Sequence, residues 1–268
     1  MTLTFTILGC SFSGGVPRPG FGWGACDPNN PKNRRRRCSL LVDRRGAGGL
    51  TRVLIDTSPD LREQLLDAKV NAIDAVVFTH EHADHVHGID DLRALVIKSR
   101  RRIDAYLDES TAQTLHGRFG YCFETPPGSS YPPLLIEHRL TPGEPVTIVG
   151  EWGPIEILPF VLGHGDISAI GLRIGGLAYS PDVKSVPTDS VPYLHGLDVW
   201  IVDALFYRQH YSHFSVADAL AWIERVQPKR AILTHMHSDL DYETLRAQLP
   251  PHVEPAFDGL TLTLDVPS

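Results

Sequence analysis

The feature that most constrains this chain is the run Thr79-His80-Glu81-His82-Ala83-Asp84-His85, which follows the apolar segment Ile73–Phe78. It contains the pattern His-x-His-x-Asp-His, and imidazole nitrogens and carboxylate oxygens are the ligands that zinc, manganese and iron take in proteins. Ionisable side chains crowded at the end of a buried strand are costly to desolvate without a compensating cation. In an extended segment His80 and His82 project to the same side, so they can share one ion. The pattern therefore predicts a metal site.

Further polar residues follow strand-like segments along the chain. His164 follows Ile155–Leu162, Asp182 follows Leu177–Ser180, Asp203 follows Val199–Val202, and His235 follows Arg230–Leu233. Because open α/β architectures place their sites at the carboxyl ends of strands, we expect these side chains to lie near the His80 motif. Taken singly, His164 and His235 would be ordinary loop residues and Asp182 a turn residue.

The periodicity of apolar residues in the rest of the sequence predicts a layered α/β fold, with residues 1–268 forming a single domain. Alternating or apolar runs predict further strands at Leu3–Leu8, Ser39–Asp43, Arg52–Asp56, Ile103–Leu107, Val146–Val149 and Ala169–Ile174. Helical spacing predicts helices over Pro59–Ala68 with Ser58 as N-cap, Asp90–Arg100, and Ser215–Val226 with the cap pair Ser215 and Asp218. Strands with interspersed helices indicate a sandwich of sheets and helices.

Composition excludes some classes of function. No apolar run reaches the roughly 18 residues of a membrane span, and the amino-terminal residues alternate like a strand rather than a signal peptide. The scattered cysteines Cys10, Cys26, Cys38 and Cys122 are expected to be reduced, which predicts a cytoplasmic protein.

A net charge of −7 disfavours extended nucleic acid as a partner. The basic runs Arg34–Arg37 and Lys98–Arg102 are either solvated surface or a rim that attracts phosphate.

The ordered set His80, His82, Asp84, His85, His164, Asp182 and His235 resembles the metallo-β-lactamase superfamily. The resemblance implies an α/β fold of the αββα four-layer sandwich type. It also implies two divalent metal ions, with Zn2+ expected and Mn2+ or Fe2+ as alternatives. One ion would be held by His80, His82 and His164, and the second by Asp84, His85 and His235, with Asp182 bridging. Such a pair lowers the pKa of a bound water toward about 7 and so supplies a hydroxide nucleophile.

Within the superfamily the chain looks most like the phosphodiesterase branch. Asp203-Ala204-Leu205-Phe206 and His213-Phe214-Ser215 resemble paired elements of tRNase Z-like enzymes, in which an acidic residue orients a histidine that protonates the leaving oxygen. Asp203 stands here in place of the usual glutamate. Gly9-Cys10, Arg34–Arg37-Cys38-Ser39 and Leu233-Thr234-His235 resemble phosphoribosyl cyclic phosphate phosphodiesterases. Because the early loop offers only Cys26, we expect no separate structural zinc, and the part played by Cys26 stays open.

We therefore expect a dinuclear metal-dependent phosphodiesterase that hydrolyses a small nucleotide-like or cyclic phosphodiester. His213 is the expected general acid, Asp203 its orienting carboxylate, and Asp84 a metal-binding member of the catalytic centre. Simpler interpretations are that His213 merely precedes the helix cap and that Asp203 accepts hydrogen bonds from backbone donors.

The alternatives at the level of function are a tRNA 3′-processing endonuclease, a hydrolase of lactones, thioesters or β-lactams, and a non-catalytic metal-dependent nucleotide-binding protein. His87 and His237 are expected outside the ligand set, and Phe21 and Trp23 either stack on a substrate or pin their loop.

Overall fold

Two seven-stranded sheets lie face to face in the structure, a computed structural model that describes residues 2–265. The first sheet has the order β14-β1-β2-β3-β4-β5-β6 and contains β1 (Thr2–Gly9), β2 (Ser39–Gly46), β3 (Gly49–Ile55), β4 (Ala75–Val77), β5 (Ile103–Leu107), β6 (Leu135–Arg139) and β14 (Thr261–Asp265). The second has the order β13-β12-β11-β10-β9-β8-β7 and contains β7 (Val146–Gly150), β8 (Gly153–His164), β9 (Ile167–Ile174), β10 (Leu177–Ser180), β11 (Val199–Asp203), β12 (Arg230–Thr234) and β13 (Val253–Pro255).

Helices cover the outer face of each sheet. They are α1 (Leu61–Asp67), α2 (Ala83–Val86), α3 (Arg93–Ser99), α4 (Glu109–Phe119), α5 (Val216–Val226) and α6 (Tyr242–Gln248). Apolar residues of α1 to α4 form one cluster with the first sheet, whereas Ile223 of α5 and Leu245 of α6 pack with the second. The predicted αββα sandwich is confirmed.

Each sheet changes from antiparallel to parallel pairing part of the way across. Strands β3 to β6 run parallel in the first sheet, and β10 to β13 run parallel in the second. The carboxyl ends of parallel strands meet at one edge of a sheet, so the loops that follow them can converge. This pairing positions the polar residues described below.

Strand β3 shows why the central strands are apolar on both faces. Val53 and Ile55 point into the core between the sheets, and Leu54 points outward into the cluster under the helices. Since successive strand residues alternate between faces, a strand covered on both sides needs an unbroken apolar run. This accounts for the continuous runs seen in the sequence.

Several local expectations need correction. Strands β6, β13 and β14 and helices α2, α4 and α6 were not expected from the sequence. Ser58 does not cap α1, because its carbonyl accepts the Leu61 amide in a turn and the helix begins only at Leu61. The expected Asp90–Arg100 helix divides into a short 3₁₀ helix, Ile89–Leu92, followed by α3. The predicted capping box of α5 is confirmed, since Ser215 and Asp218 each accept the other's backbone amide.

No helix within residues 2–265 is long and apolar enough to cross a membrane. The four cysteines are free, and all of them are buried.

Candidate metal centre

The predicted ligands come from both sheets and meet at the strand ends. His80 and His82 lie in the loop after β4, and Asp84 and His85 lie in α2. On the opposite side, His164 is the last residue of β8, Asp182 follows β10 and His235 follows β12. The structure thus brings all the predicted ligand residues into one cluster, and each belongs to a group whose potential ligand atoms lie within 4.8 Å of one another.

The first group consists of three histidines. His80, His82 and His164 each place a ring nitrogen within 4.8 Å of those of the other two. His82 Nδ1 lies 3.1 Å from His164 Nε2. His80 and His164 are buried, whereas His82 is exposed and forms the solvent side of the group. A neutral three-nitrogen set of this kind suits Zn2+ and its neighbours in the first transition row.

The second group combines one carboxylate with two histidines. Asp84 Oδ2 lies 3.6 Å from His85 Nε2 and 3.5 Å from His235 Nε2. All of its members are buried. His235 has a φ of 57°, a left-handed conformation that is uncommon for a residue other than glycine. Such backbone strain concentrates at functional sites, where the surrounding structure holds it in place.

Asp182 lies between the two groups. Its Oδ1 is 3.6 Å from His164 Nε2, 3.9 Å from His80 Nε2 and 3.4 Å from His235 Nε2. Its Oδ2 is 3.0 Å from His85 Nε2. One carboxylate therefore reaches histidines of both groups.

Hydrogen bonds behind the site fix which ring nitrogen faces inward. His85 donates from Nδ1 to Asp56 Oδ2 at 2.8 Å, and His164 donates from Nδ1 to the Ser212 carbonyl at 2.7 Å. Both rings therefore present Nε2 to the cluster. Asp56 also accepts the amide and the hydroxyl of Thr79, each at 2.8 Å. Asp56 was not among the predicted site residues, although it follows β3 just as the predicted ligands follow their strands.

The electrostatics favour neutral His80 and His164 and an ionised Asp182. At His85, by contrast, the effect of burial is outweighed by Asp182, Asp56 and Asp84, which raise its pKa well above the ordinary value. Burial lowers the pKa of His80 well below its ordinary value and that of His164 to about 4, so both imidazoles stay neutral. Burial alone would raise the pKa of Asp182, but His235, His85 and His80 outweigh it and hold that pKa well below the usual range. Neutral imidazoles and ionised carboxylates are the protonation states that bind metals.

Buried polar atoms that lack hydrogen-bond partners also favour bound cations. Within the described residues, His80 Nε2 is buried without a hydrogen-bond partner, and His85 Nε2 and Asp182 Oδ2, 3.0 Å apart, have no partner besides each other. Leaving such atoms unpaired in a protein interior is costly. Because all of these atoms belong to the groups above, divalent cations fit the residues present.

A separate histidine–carboxylate pair borders the cluster. Asp203, the last residue of β11, accepts a hydrogen bond from His213 Nδ1 at 2.7 Å and another from the Val183 amide at 3.0 Å. Both side chains are buried, and burial lowers the pKa of His213. His213 Nδ1 is 3.8 Å from Asp182 Oδ1, so this pair directly adjoins the centre.

A cavity of about 600 Å³ opens beside His213 and His235. Its lining includes Arg18 and Arg208, which were not among the predicted site residues, and His237, which was expected outside the ligand set. Phe21 lines this cavity and is 69% exposed. Loop residues of this kind carry no periodic signal, and only the folded chain brings them together.

The basic run Arg34–Arg37 is largely engaged within the protein. Arg36 pairs with Asp258 at 3.0 Å and with Asp67 at 2.8 Å, and Arg37 pairs with Asp60 at 3.1 Å. Arg35 is buried and donates to Cys26 Sγ at 2.9 Å and to the Leu240 carbonyl at 2.7 Å. These contacts give Arg35 to Arg37 structural partners and place Cys26 beside a cation.

Comparison with known proteins gives a family match. The model described as "Beta-lactamase superfamily domain" matches residues 51–236. The crystal structure of a diphosphatase from the PhnP family aligns with a TM-score of 0.89 and 34% identity, covering 99% of this chain and 98% of that one. Zn2+-bound PqqB from Methylobacterium extorquens aligns with a TM-score of 0.73 and 18% identity, covering 97% of this chain and 99% of that one, which is a likeness of fold.

A curated relative is longer than this chain. The chain is 33% identical over 264 residues to an octanoyltransferase of Porphyromonas gingivalis (strain ATCC BAA-308 / W83). The match covers 97% of this chain and 51% of that protein. The chain therefore spans about half the length of this relative.

Proposed function

The chain belongs to the β-lactamase superfamily and is a hydrolase of the metallo-β-lactamase fold, and we propose that it is a dinuclear metal-dependent phosphodiesterase. The substrate class we propose is a small nucleotide-like or cyclic phosphodiester. The observation that carries the proposal is the convergence of His80, His82 and His164 with Asp84, His85 and His235 on either side of Asp182.

In this proposal His80, His82 and His164 hold one divalent cation, and Asp84, His85 and His235 hold the other. Asp182 contributes to both, which is supported by its distances to histidines of each group. When bound, two such cations supply Lewis-acid charge for a phosphoryl oxygen and lower the pKa of water. Zn2+ is the ion we propose, with Mn2+ and Fe2+ as alternatives that the donor set also accepts.

His213 and Asp203 complete the proposed machinery. Because Nδ1–H is donated to Asp203, His213 carries a proton on Nε2 only as the imidazolium, and that form gives the proton to the departing oxygen. Asp203 orients the ring and stabilises the cation, as carboxylates do for catalytic histidines elsewhere. A proton donor matters because an alkoxide is a poor leaving group, so the pair supports cleavage of an alkyl phosphodiester.

Two observations favour a small substrate over a tRNA precursor. The cavity beside His213 holds about 600 Å³, which is within the range of small-molecule sites. The chain carries a net charge of −7, whereas strong binding of a polyanion depends on many uncompensated lysines and arginines. The likeness to a PhnP-family diphosphatase supports a bond to phosphorus as the target.

We also propose that residues 1–268 work as one domain in a reducing cytoplasm, which the free buried cysteines support.

The test pairs metal analysis with a substrate panel. Purified protein should contain about two equivalents of divalent metal and hydrolyse bis(p-nitrophenyl) phosphate and adenosine 2′,3′-cyclic phosphate. Chelation should abolish both activities, as should His164→Ala. His195→Ala is the matched control, because this exposed histidine lies outside the cluster and should keep both metal and activity.

Other outcomes point to the alternative functions. Faster cleavage of precursor tRNA than of either small diester would favour the endonuclease. Turnover confined to lactones or thioesters would contradict phosphodiester chemistry. Tight nucleotide binding by metal-loaded protein without hydrolysis would favour a binding protein.

A further inference from the structure

The loop between β11 and α5, residues 204–215, carries two groups that serve the metal centre. His213, the proposed proton donor, lies in this loop. So does Ser212, whose carbonyl accepts the hydrogen bond from His164 Nδ1 at 2.7 Å. The position of the loop therefore affects the orientation of both histidine rings.

Backbone hydrogen bonds secure the base of this loop but not its tip. The amides of Leu205 and Val216 donate to the carbonyls of Phe214 and Phe206, at 2.9 and 2.8 Å respectively. Within the described part of the chain, no hydrogen bond between backbone groups involves the tip, residues 207–212. Most of the tip is also exposed to solvent. Its conformation therefore depends on contacts of its side chains.

The side chain of Gln209 connects the tip to two other elements. Its Nε2 donates to Asp218 Oδ1 at 3.0 Å and to Ser215 Oγ at 3.1 Å, and these two residues form the capping box of α5. Its Oε1 accepts a hydrogen bond from Lys184 Nζ at 3.0 Å. Lys184 belongs to the segment after β10, which also carries Asp182. One amide thus joins the tip to the start of α5 and to a strand end of the metal centre.

The partners of Gln209 are held by one another as well. Asp218 Oδ2 accepts the Ser215 amide at 3.0 Å and its hydroxyl at 2.9 Å, and Lys184 Nζ lies 3.4 Å from the same oxygen. Burial alone would raise the pKa of Asp218, but Ser215, Gln209 and Lys184 outweigh it and lower that pKa. The carboxylate is therefore ionised at neutral pH, and hydrogen bonds to a charged group are stronger than those between neutral groups.

We propose that Gln209 is a positioning residue for hydrolysis, whose side-chain amide fixes residues 207–212 and so orients His213 toward the departing oxygen. The proposal rests on the proposed function and adds a residue to its machinery. Gln209 does not line the cavity beside the metal centre, whereas its neighbours Arg208 and His210 do. It therefore acts through His213 rather than on the substrate. A displacement of a reacting group by about 1 Å can lower a rate by about 100-fold.

Two substrates with different leaving groups test the proposal. Bis(p-nitrophenyl) phosphate releases p-nitrophenolate, which departs without a proton, whereas adenosine 2′,3′-cyclic phosphate releases a ribose alkoxide, which needs one. Gln209→Ala should lower kcat for the cyclic phosphate by about tenfold to 100-fold. For the nitrophenyl ester kcat should change by less than about twofold, because the proton from His213 matters little there. KM should change little for either substrate, since His213 acts when the leaving group departs.

Variants at both positions show whether Gln209 and His213 act as a unit. In a His213→Ala background, Gln209→Ala should cause no further loss of kcat, because the group that it places is already absent. Gln209→Glu should be as defective as Gln209→Ala, since a carboxylate cannot donate to Asp218 and is repelled by it. The matched control is Gln113→Ala, which removes an exposed glutamine on α4 that donates to Glu109 and should leave both rates as they are. Thermal unfolding shows whether each variant folds.

A measurement without substrate separates this proposal from the proposed function. In Gln209→Ala, ¹⁵N relaxation should show the backbone order parameters of residues 207–212 falling from about 0.85 to below about 0.6, while those of β11 stay unchanged. If the parent protein hydrolyses no diester, the phosphodiesterase is refuted, and this fall would still leave the fixing of the loop by Gln209 standing.

Four results would overturn the role given to Gln209. They are unchanged order parameters at residues 207–212, an equal loss of kcat with both esters, an effect confined to KM, and a further loss of kcat in the His213→Ala background. The second and third would indicate a general loss of structure or a role in binding the substrate, rather than the placing of a proton donor.

Discussion

Asp203 Oδ2 accepts hydrogen bonds from both His213 Nδ1 and the Val183 backbone amide. The carboxylate that aligns the histidine is therefore itself held by the loop after β10. We expect Asp203→Asn to lower kcat by about 100-fold or more, because the amide no longer fixes the ring as the carboxylate does. His213→Ala should lower kcat by about 10²- to 10⁴-fold, the usual contribution of a general acid. Both variants should keep their metal content, measured by elemental analysis.

The control for this pair is Asp189→Asn, which changes an exposed carboxylate in a different segment. If His213→Ala lost its metal along with its activity, the general-acid role would be wrong, and His213 would have to be regarded as a ligand.

Asp56 should matter for metal affinity although it is not expected to touch the metal. Its hydrogen bond holds the His85 ring, and it accepts the amide and hydroxyl of Thr79 next to His80. We expect Asp56→Ala to weaken metal binding by about 10- to 100-fold, the range found when a partner behind a metal ligand is removed. Competition with a fluorescent chelator measures this, with Asp91→Ala as the comparison. Equal affinities in the two variants would refute the role given to Asp56.

Asp258 gives a pH-dependent contribution to stability at a distance from the metal centre. Burial raises its pKa from 3.8 to about 6, against the opposing effect of Arg36. Since the folded state binds this proton more tightly than the unfolded chain, the Asp258 contribution to stability grows as the pH falls through 6 toward 4. The shift corresponds to at most about 3 kcal/mol.

Urea unfolding of the protein and of Asp258→Asn at several pH values isolates this contribution. The variant carries no titrating group there, so the difference in the free energy of unfolding should move in favour of the parent protein as the pH falls from 7 to 4. A difference that stays constant over this range, or moves the other way, would contradict the raised pKa.

The ion pair between Asp43 and Arg52 should be important for stability. Arg52 Nε and Nη2 donate to the two oxygens of Asp43 at 2.6 and 2.8 Å, and both side chains are buried. Asp43→Ala leaves a buried guanidinium without its main partner, which should cost about 3–5 kcal/mol. Glu63→Ala breaks an exposed pair with Arg62 and should cost less than about 1 kcal/mol. Chemical denaturation measures the free energy of unfolding of both variants. Similar losses would show that burial of an ion pair does not determine its contribution to stability.

The convergence of the candidate ligands was predictable because its signal is local and chemical. His80, His82, Asp84 and His85 lie within one short motif, and each later candidate follows an apolar strand. Strand ends can be read from composition, and parallel pairing brings strand ends together. The match to the superfamily model and the likeness to a solved structure confirm the predicted superfamily and αββα architecture.

The elements that were missed lack such a signal. Strand β6 is half exposed, with Glu137 and His138 interrupting its apolar pattern, and β13 is only three residues long. Helix α4 has polar residues such as Gln113 and His116 on much of its surface, so its apolar stripe is narrow. Arg18 and Arg208 are far apart in the sequence and approach the same cavity only through loops. Nothing in their flanking residues indicates that these two arginines will line one cavity.

Strand β14 pairs with β1 and completes the first sheet next to the strand that begins it. Contacts such as that between Thr6 and Thr261 span 255 positions, so this edge forms late in a growing polypeptide. Until residues 261–265 leave the ribosome, β1 presents an unpaired row of backbone donors and acceptors that invites association with other chains. Pairing with β14 therefore shields this edge of β1 from association with other chains.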